Sequence, residues 1–246
     1  MRQRRARARR ARRIVGLLFL ATVLLVTLLL TAFGTGRSRV VRTAPAPAAR
    51  LLPAGPPRPQ VVATQGSLPL QLPIPQERVT AVGYHAAGDG ALVLDPIGDK
   101  ANEGFVARVF HRVFGGADGR FRYYQLSGGH GPGTTSLDVG AAARTDVYSP
   151  VNGTVVGLSE FVRNGRRYGS RIEIEPAAAP SVVLYVTRLR ADPSLSVGTA
   201  VSASTSKLGS LIDLSRVERQ ALSRYTHEAG NHVSVEVHPA ATLGLS

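Results

Sequence analysis

Near the C-terminus, the run from His232 to His238 (HVSVEVH) sets imidazole, hydroxyl, carboxylate and imidazole at every second position. Side chains of a β-strand point alternately to opposite faces, so His232, Ser234, Glu236 and His238 share one face and Val233, Val235 and Val237 the other. A second carboxylate, Asp138, lies in the segment SLDVG, and His130 precedes it by eight residues in the glycine-rich GGHGPG. Imidazoles and carboxylates together suit a catalytic zinc, which takes about three protein ligands and keeps a position open for water. They equally suit a polar strand face held by ordinary hydrogen bonds. Spacing does not decide between these, because Asp138, His232 and His130 follow no standard ligand pattern. The chain has no cysteine, which excludes disulfides and thiolate metal sites. His111, beside Arg108 and Arg112, and His227 read as solvated.

The elements that must position these groups are mostly short strands. Val79–Tyr84 and Ala91–Leu94 read as a hairpin around Gly88-Asp89-Gly90. Further strands are predicted at Asp146–Ser149, Gly153–Leu158, Arg171–Glu175, Val182–Val186, Val197–Ser202 and His232–His238. Two helices interrupt them. Asn102–Phe114 places Phe105, Val106, Val109, Phe110 and Val113 on one stripe and ends at Gly115-Gly116. The second is Leu211–Glu228, where Ser215 and Glu218 have capping-box spacing, Leu214, Val217, Ala221, Leu222 and Tyr225 recur at helical intervals, and Gly230 supplies a stop. Many strands with few helices predict a mostly β barrel or sandwich.

Charge and hydropathy divide the chain. Residues 1–60 hold 13 of the 30 Lys and Arg and no Asp or Glu, leaving 17 basic against 16 acidic residues in 61–246. A protein that grips phosphates carries its basic excess on the folded part, so nucleic acid is not an expected partner. Eight arginines lie between Arg2 and Arg13, followed by residues 14–33, IVGLLFLATVLLVTLLLTAF, without a charge. At 1.5 Å per residue this run spans about 30 Å of hydrocarbon, and the arginine asymmetry holds the N-terminus in the cytoplasm. Residues 34–76 contain nine of the sixteen prolines, a composition that favours extended polyproline II. The expected organisation is a basic segment (1–13), a transmembrane helix (14–33), a Pro/Ala-rich stalk (34–78) and an extracytoplasmic domain (79–246), making a single-pass protein of the cell membrane.

Three stretches, in order, resemble the lysostaphin-type (LytM-like) zinc endopeptidases of cell walls: residues 136–158 (SLDVGAAARTDVYSPVNGTVVGL), 168–201 (from YGSRIEIEP to SVGTAV) and 230–237 (GNHVSVEV). The resemblance implies a duplicated-hybrid, LytM-like β sandwich with the two helices as accessories. In that family zinc is held by a His, an Asp four residues later, and the second His of an H-x-H pair. By position, Asp138 matches the metal Asp, Thr134 stands where the first ligand His belongs, and Ser234 stands where the last does. His232 matches the first, catalytic His of the pair, and Glu236 matches the acidic residue of the final strand. The strand His falls at Thr187 or Arg188. One of three ligands is retained, so the resemblance implies no metal, a vestigial His232, and no hydrolysis by the family mechanism. Copies without ligands regulate: they bind cell-wall hydrolases or peptidoglycan, here through a groove at Thr134, Asp138, His232, Ser234 and Glu236. Two other readings stay open. One is an active zinc peptidase with relocated ligands, Asp138, His232 and His130. The other is a membrane-fusion-type adaptor, suggested by SPVNGTVV, although Lys207 in TSKLGS lacks the flanking residues of a lipoyl- or biotin-bearing lysine. The Leu211–Glu228 helix is an insertion relative to the family, read first as a plain packing element, with a cover over the groove or a surface for a partner as the alternatives.

Overall fold

Alternation of apolar and polar residues dominates the folded part, and the computed structural model turns it into sheet. It describes residues 55–88, 90–101, 121–127 and 133–240. The expected transmembrane segment 14–33, the helix at Asn102–Phe114 and His130 lie outside these. Among the described residues no helix is long and apolar enough to cross a membrane.

A three-stranded sheet is formed by β1 (Val61–Gln65), β2 (Leu68–Gln71) and β4 (Asp95–Pro96) in the order β2-β1-β4. The larger sheet has eleven strands. Its path is β12 (Ala200–Val201), β9 (Gly153–Arg163), β10 (Arg166–Pro176), β11 (Val182–Ala191), β14 (His232–Pro239), β7 (Ser136–Gly140), β3 (Ala81–His85), β6 (Arg122–Gln125) and β5 (Asp99–Lys100). A branch carries β13 (Lys207–Leu211) on β11 and β8 (Asp146–Tyr148) on β13. The pairings are antiparallel except β3 with β6 and β5 with β6.

The inner face of the large sheet packs against the small sheet in one core. It joins Val82, Tyr84, Leu137, Val139, Ile172, Leu184, Val186 and the three valines of β14 to Val62, Leu70, Leu72 and Ile74. Tyr84 ties the layers with a buried hydrogen bond, its hydroxyl donating to the Val62 carbonyl at 2.8 Å. Burial and the neighbouring Tyr123 raise its pKa well above the ordinary phenol, so it stays a donor.

Three expectations need correction. Residues 61–78, assigned to the stalk, belong to the folded body: Leu70, Leu72 and Ile74 are fully buried. The Pro and Gln positions between them suggest a solvated linker, yet leucine alternation through Leu68, Leu70 and Leu72 supplies a β face, with Gly66 at φ 56° making the turn. The hairpin of Val79–Tyr84 with Ala91–Leu94 does not form. β3 pairs instead with β7 and β6, while Leu92 N donates to Val237 O and Leu94 N to Thr134 O. Local alternation specifies a strand but not its partner.

The Leu211–Glu228 helix is the third. Residues 212–231 form a loop with one α-turn, where Glu218 N donates to Leu214 O, and a 3-10 helix at Ala221–Arg224. Asp213 Oδ1 takes both the amide and the hydroxyl of Ser215, and Glu218, instead of closing a capping box, pairs with Arg188 and Arg163. Tertiary partners override the helical pattern. Leu222 is fully buried on the outer face of the large sheet with Ala81 and Leu126, and Tyr225 stacks on Tyr124 at 4.2 Å.

The buried hairpin makes a prediction. A chain beginning at Val79 lacks Val62, Leu70, Leu72 and Ile74 and will not unfold cooperatively, whereas one beginning at Gly55 will. Within the longer chain Leu70→Ala costs about 3 kcal/mol. Cooperative thermal unfolding of the shorter chain would refute the enlarged domain.

Candidate functional site

The register of three strands builds the site. Ser234 of β14 and Gly83 of β3 lie on either side of Asp138 in β7, and His232 lies opposite Gly140. All these residues point away from the valine core. Asp138, His232 and Ser234 are nonetheless buried, because the 212–231 loop covers this end of the sheet. Glycine makes that cover possible. A Cβ at Gly83 would stand 2.8 Å from Leu126 and 3.0 Å from Leu222, and one at Gly140 would stand 2.8 Å from Thr80 and 3.3 Å from Leu222.

Asp138 is the centre. Its Oδ1 accepts the Ser234 hydroxyl at 2.7 Å. Its Oδ2 lies 3.0 Å from His85 Nδ1 and 3.5 Å from His232 Nε2. His232 Nδ1 is 2.9 Å from the Gly230 carbonyl, which can only accept, so Nδ1 carries the proton and Nε2 faces the carboxylate. Burial alone would push Asp138 up. In the acidic range where this carboxyl takes up its proton His232 and His85 are both charged, and their charges, with the His85 contact and Arg188, outweigh burial and hold the carboxyl well below the usual range.

The two imidazoles respond oppositely. Burial pulls His232 down and Asp138 does not recover it, so this ring is held neutral. Burial also acts on His85, but contact with Asp138, then the charges of Asp138 and Glu236, win and raise it. His85, with 27% of its side chain exposed, is the member whose protonated form the site favours.

Arg188 oversees the site. It sits in a left-handed conformation at φ 68°, immediately after Thr187 pairs with Ser234. Its guanidinium donates to Glu218 Oε1 at 2.7 Å and to Gln220 Oε1 at 3.2 Å, and it fastens the covering loop to the sheet.

The expected groove residues therefore separate. Asp138, His232 and Ser234 meet. Thr134 is half-buried, and its carbonyl takes the Leu94 amide. Glu236 pairs with His238 at 3.0 Å. His238 stacks on Tyr185 at 4.3 Å, and Arg171 lies over that ring at 4.9 Å. That stack forms a second polar cluster farther along the same face. His85 is absent from the site expected on sequence: it lies 53 positions before Asp138 in a strand whose partner only the fold reveals.

The residues present do not fit the family's zinc. Ser234 offers a neutral hydroxyl already donated to Asp138, Thr134 offers another neutral hydroxyl, a poor zinc ligand, and among the described residues no group of three His, Asp or Glu is arranged to hold a metal ion. The arrangement instead distributes protons around a desolvated carboxylate.

That asymmetry fixes a pH dependence. A raised pKa at His85 contributes stability that is complete below its unfolded value, about 6.5, and is lost as pH rises through the folded value. The Tm gap between the wild type and His85→Gln should shrink from pH 6 to pH 9. A constant gap would contradict the pairing. Asp138→Ala, which strips partners from two imidazoles and a hydroxyl, should cost about 3 kcal/mol at pH 7.

No family model and no curated protein matches the sequence. Among solved structures, the chain is similar to the SpoIIQ–SpoIIIAH pore-forming complex, with 22% identity over 41% of this chain and 54% of that one, TM-score 0.28. It is similar to lysostaphin, at 15% identity over 48% and 45%, TM-score 0.33. It is also similar to the deep-sea metalloprotease pseudoalterin, at 13% identity over 70% and 72%, TM-score 0.37. The chain spans about half the length of the first two.

Proposed function

We propose that this chain is a membrane-anchored, non-catalytic LytM-like module that binds or regulates cell-wall hydrolases or peptidoglycan. One observation carries the reading: the hydroxyl of Ser234, at the position of a ligand histidine, donates to Asp138 at 2.7 Å and closes the carboxylate. On this reading the site offers no open metal position, and His85 is its exposed member. The order of the three resembling stretches supports the cell-wall assignment. The uncharged run 14–33 behind eight arginines supports the anchor.

Zinc titration of the wild-type protein and of Thr134→His with Ser234→His tests the site. The wild type should take up no zinc. The double variant supplies the two imidazoles that the position-by-position correspondence calls for and should bind at micromolar Kd, about 8 kcal/mol. Stoichiometric binding by the wild type would favour a working peptidase with relocated ligands. Failure of a folded double variant would break the position-by-position correspondence.

The topology has its own test. Protease added to wall-stripped cells should digest residues 79–240 while those residues sediment with membranes beforehand. Protection from protease would place the domain in the cytoplasm.

A further inference from the structure

The large sheet ends at β12, which covers only the start of β9, and among the described residues the rest of that β9 edge carries no strand. β12 pairs only with Gly153 and Thr154, and loop bonds then join Val155 to Thr199 and Gly198. From Val156 to Arg163 the outward side of β9 has no backbone partner among the described residues. At about 3.3 Å per residue this leaves a ladder of roughly 26 Å. Natural edges of this kind are usually shortened or interrupted by proline. This one has no proline, and Val156, Leu158 and Val162 are 39%, 37% and 50% exposed along it.

The edge continues into a projecting ribbon. β10 pairs with β11 only from Ser170 onward, so Arg166 and Arg167 pair with β9 alone. The ribbon closes through Asn164 and Gly165, both at positive φ (50° and 73°), the tight turn that suits the natural twist of two strands. Residues 160–171 hold four arginines and one glutamate, a net of +3, although 61–246 as a whole is nearly neutral. Arg167 contacts Glu160 in an exposed pair, which is weak, and Arg163, itself 53% exposed, contacts the half-buried Glu218. Arg166 is exposed.

We propose that the β9 edge docks an extended, acidic segment of a partner protein. The segment adds as a further strand along Val156–Arg163, lays its apolar side chains on Val156, Leu158 and Val162, and turns its carboxylates toward Arg163, Arg166 and Arg167. Backbone pairing supplies affinity and the alternating side chains supply selectivity. This names a partner chemistry beyond the function proposed above and does not depend on it, since strand addition at β9 calls on neither Asp138 nor a metal.

The test uses full-length protein in detergent micelles and a fluorescein-labelled ten-residue peptide of alternating valine and glutamate. A control peptide replaces two central valines with proline. Anisotropy should show the alternating peptide binding at least about tenfold more tightly than the proline control. Arg166→Glu with Arg167→Glu should weaken it by about tenfold or more through lost charge complementarity. Leu158→Lys with Val162→Lys separates the two contributions: these lysines add positive charge, yet obstruct the apolar contact and should also weaken binding. Hydrogen exchange on the unmutated protein should show the amides of 156–163 protected by the peptide, a readout independent of any variant's folding. Equal binding of the proline control, tighter binding by the lysine variant, or unprotected edge amides would overturn strand addition. Peptide-free self-association abolished by the lysine variant would assign the edge to a second copy and overturn the acidic partner.

Discussion

A single desolvated carboxylate governs the arrangement of this domain. Asp138 lies on a strand face that would be open to water were it not for the 212–231 loop, and its charge must be met from within. Ser234 and His85 meet it directly, the neutral His232 ring lies 3.5 Å away, and the Arg188 guanidinium adds positive potential nearby. Ser234 and His232 come from the strand on one side of β7 and His85 from the strand on the other, and all three arrive by register. Shifting β14 by one residue would carry His232 and Ser234 into the valine core and leave Asp138 facing a hydrocarbon neighbour. The alternation in HVSVEVH is therefore an electrostatic specification as much as a hydrophobic one.

The covering loop follows from the same constraint. Arg188 needs an anion, and Glu218 of the loop provides one at 2.7 Å, with Gln220 beside it. Leu222 needs room on the sheet, and Gly83 and Gly140 provide it by lacking side chains. The loop is thus fixed by an ion pair at one point and an apolar plug at another. Neither would be available to a regular helix through Leu211–Glu228, which would turn Glu218 and Leu222 to positions set by its own pitch.

Much of this is legible in the sequence, and the limits have physical causes. The final strand, its two faces, and the placement of Asp138 beside Ser234 and His232 follow from period-two alternation and from the family resemblance. The strands at Asp146, Gly153, Arg171 and Val182 are also legible, though the structure extends three of them. Pairing partners are not, because a strand's pattern says which face is buried and nothing about which edge is joined. For that reason the sequence points to a hairpin at Gly88–Gly90 and is silent on His85. The core role of Leu68–Ile74 is hidden by prolines at Pro69, Pro73 and Pro75, which mark a linker by composition but sit here without breaking the burial of the leucines between them. The loop reads as a helix because its apolar spacing is helical, while Ser215 and Glu218 satisfy partners that only the folded chain supplies.

The hydroxyl at position 234 sets how the site balances charge. A serine gives Asp138 one neutral donor and leaves the remaining negative charge to be met by the histidines. Burial denies most of that role to His232, whose ring is held neutral with its proton committed to the Gly230 carbonyl. The compensation therefore falls on His85, the one member of the cluster with substantial exposure, and on Arg188 behind it. A site organised this way holds its carboxylate through protons and hydrogen bonds in a fixed frame.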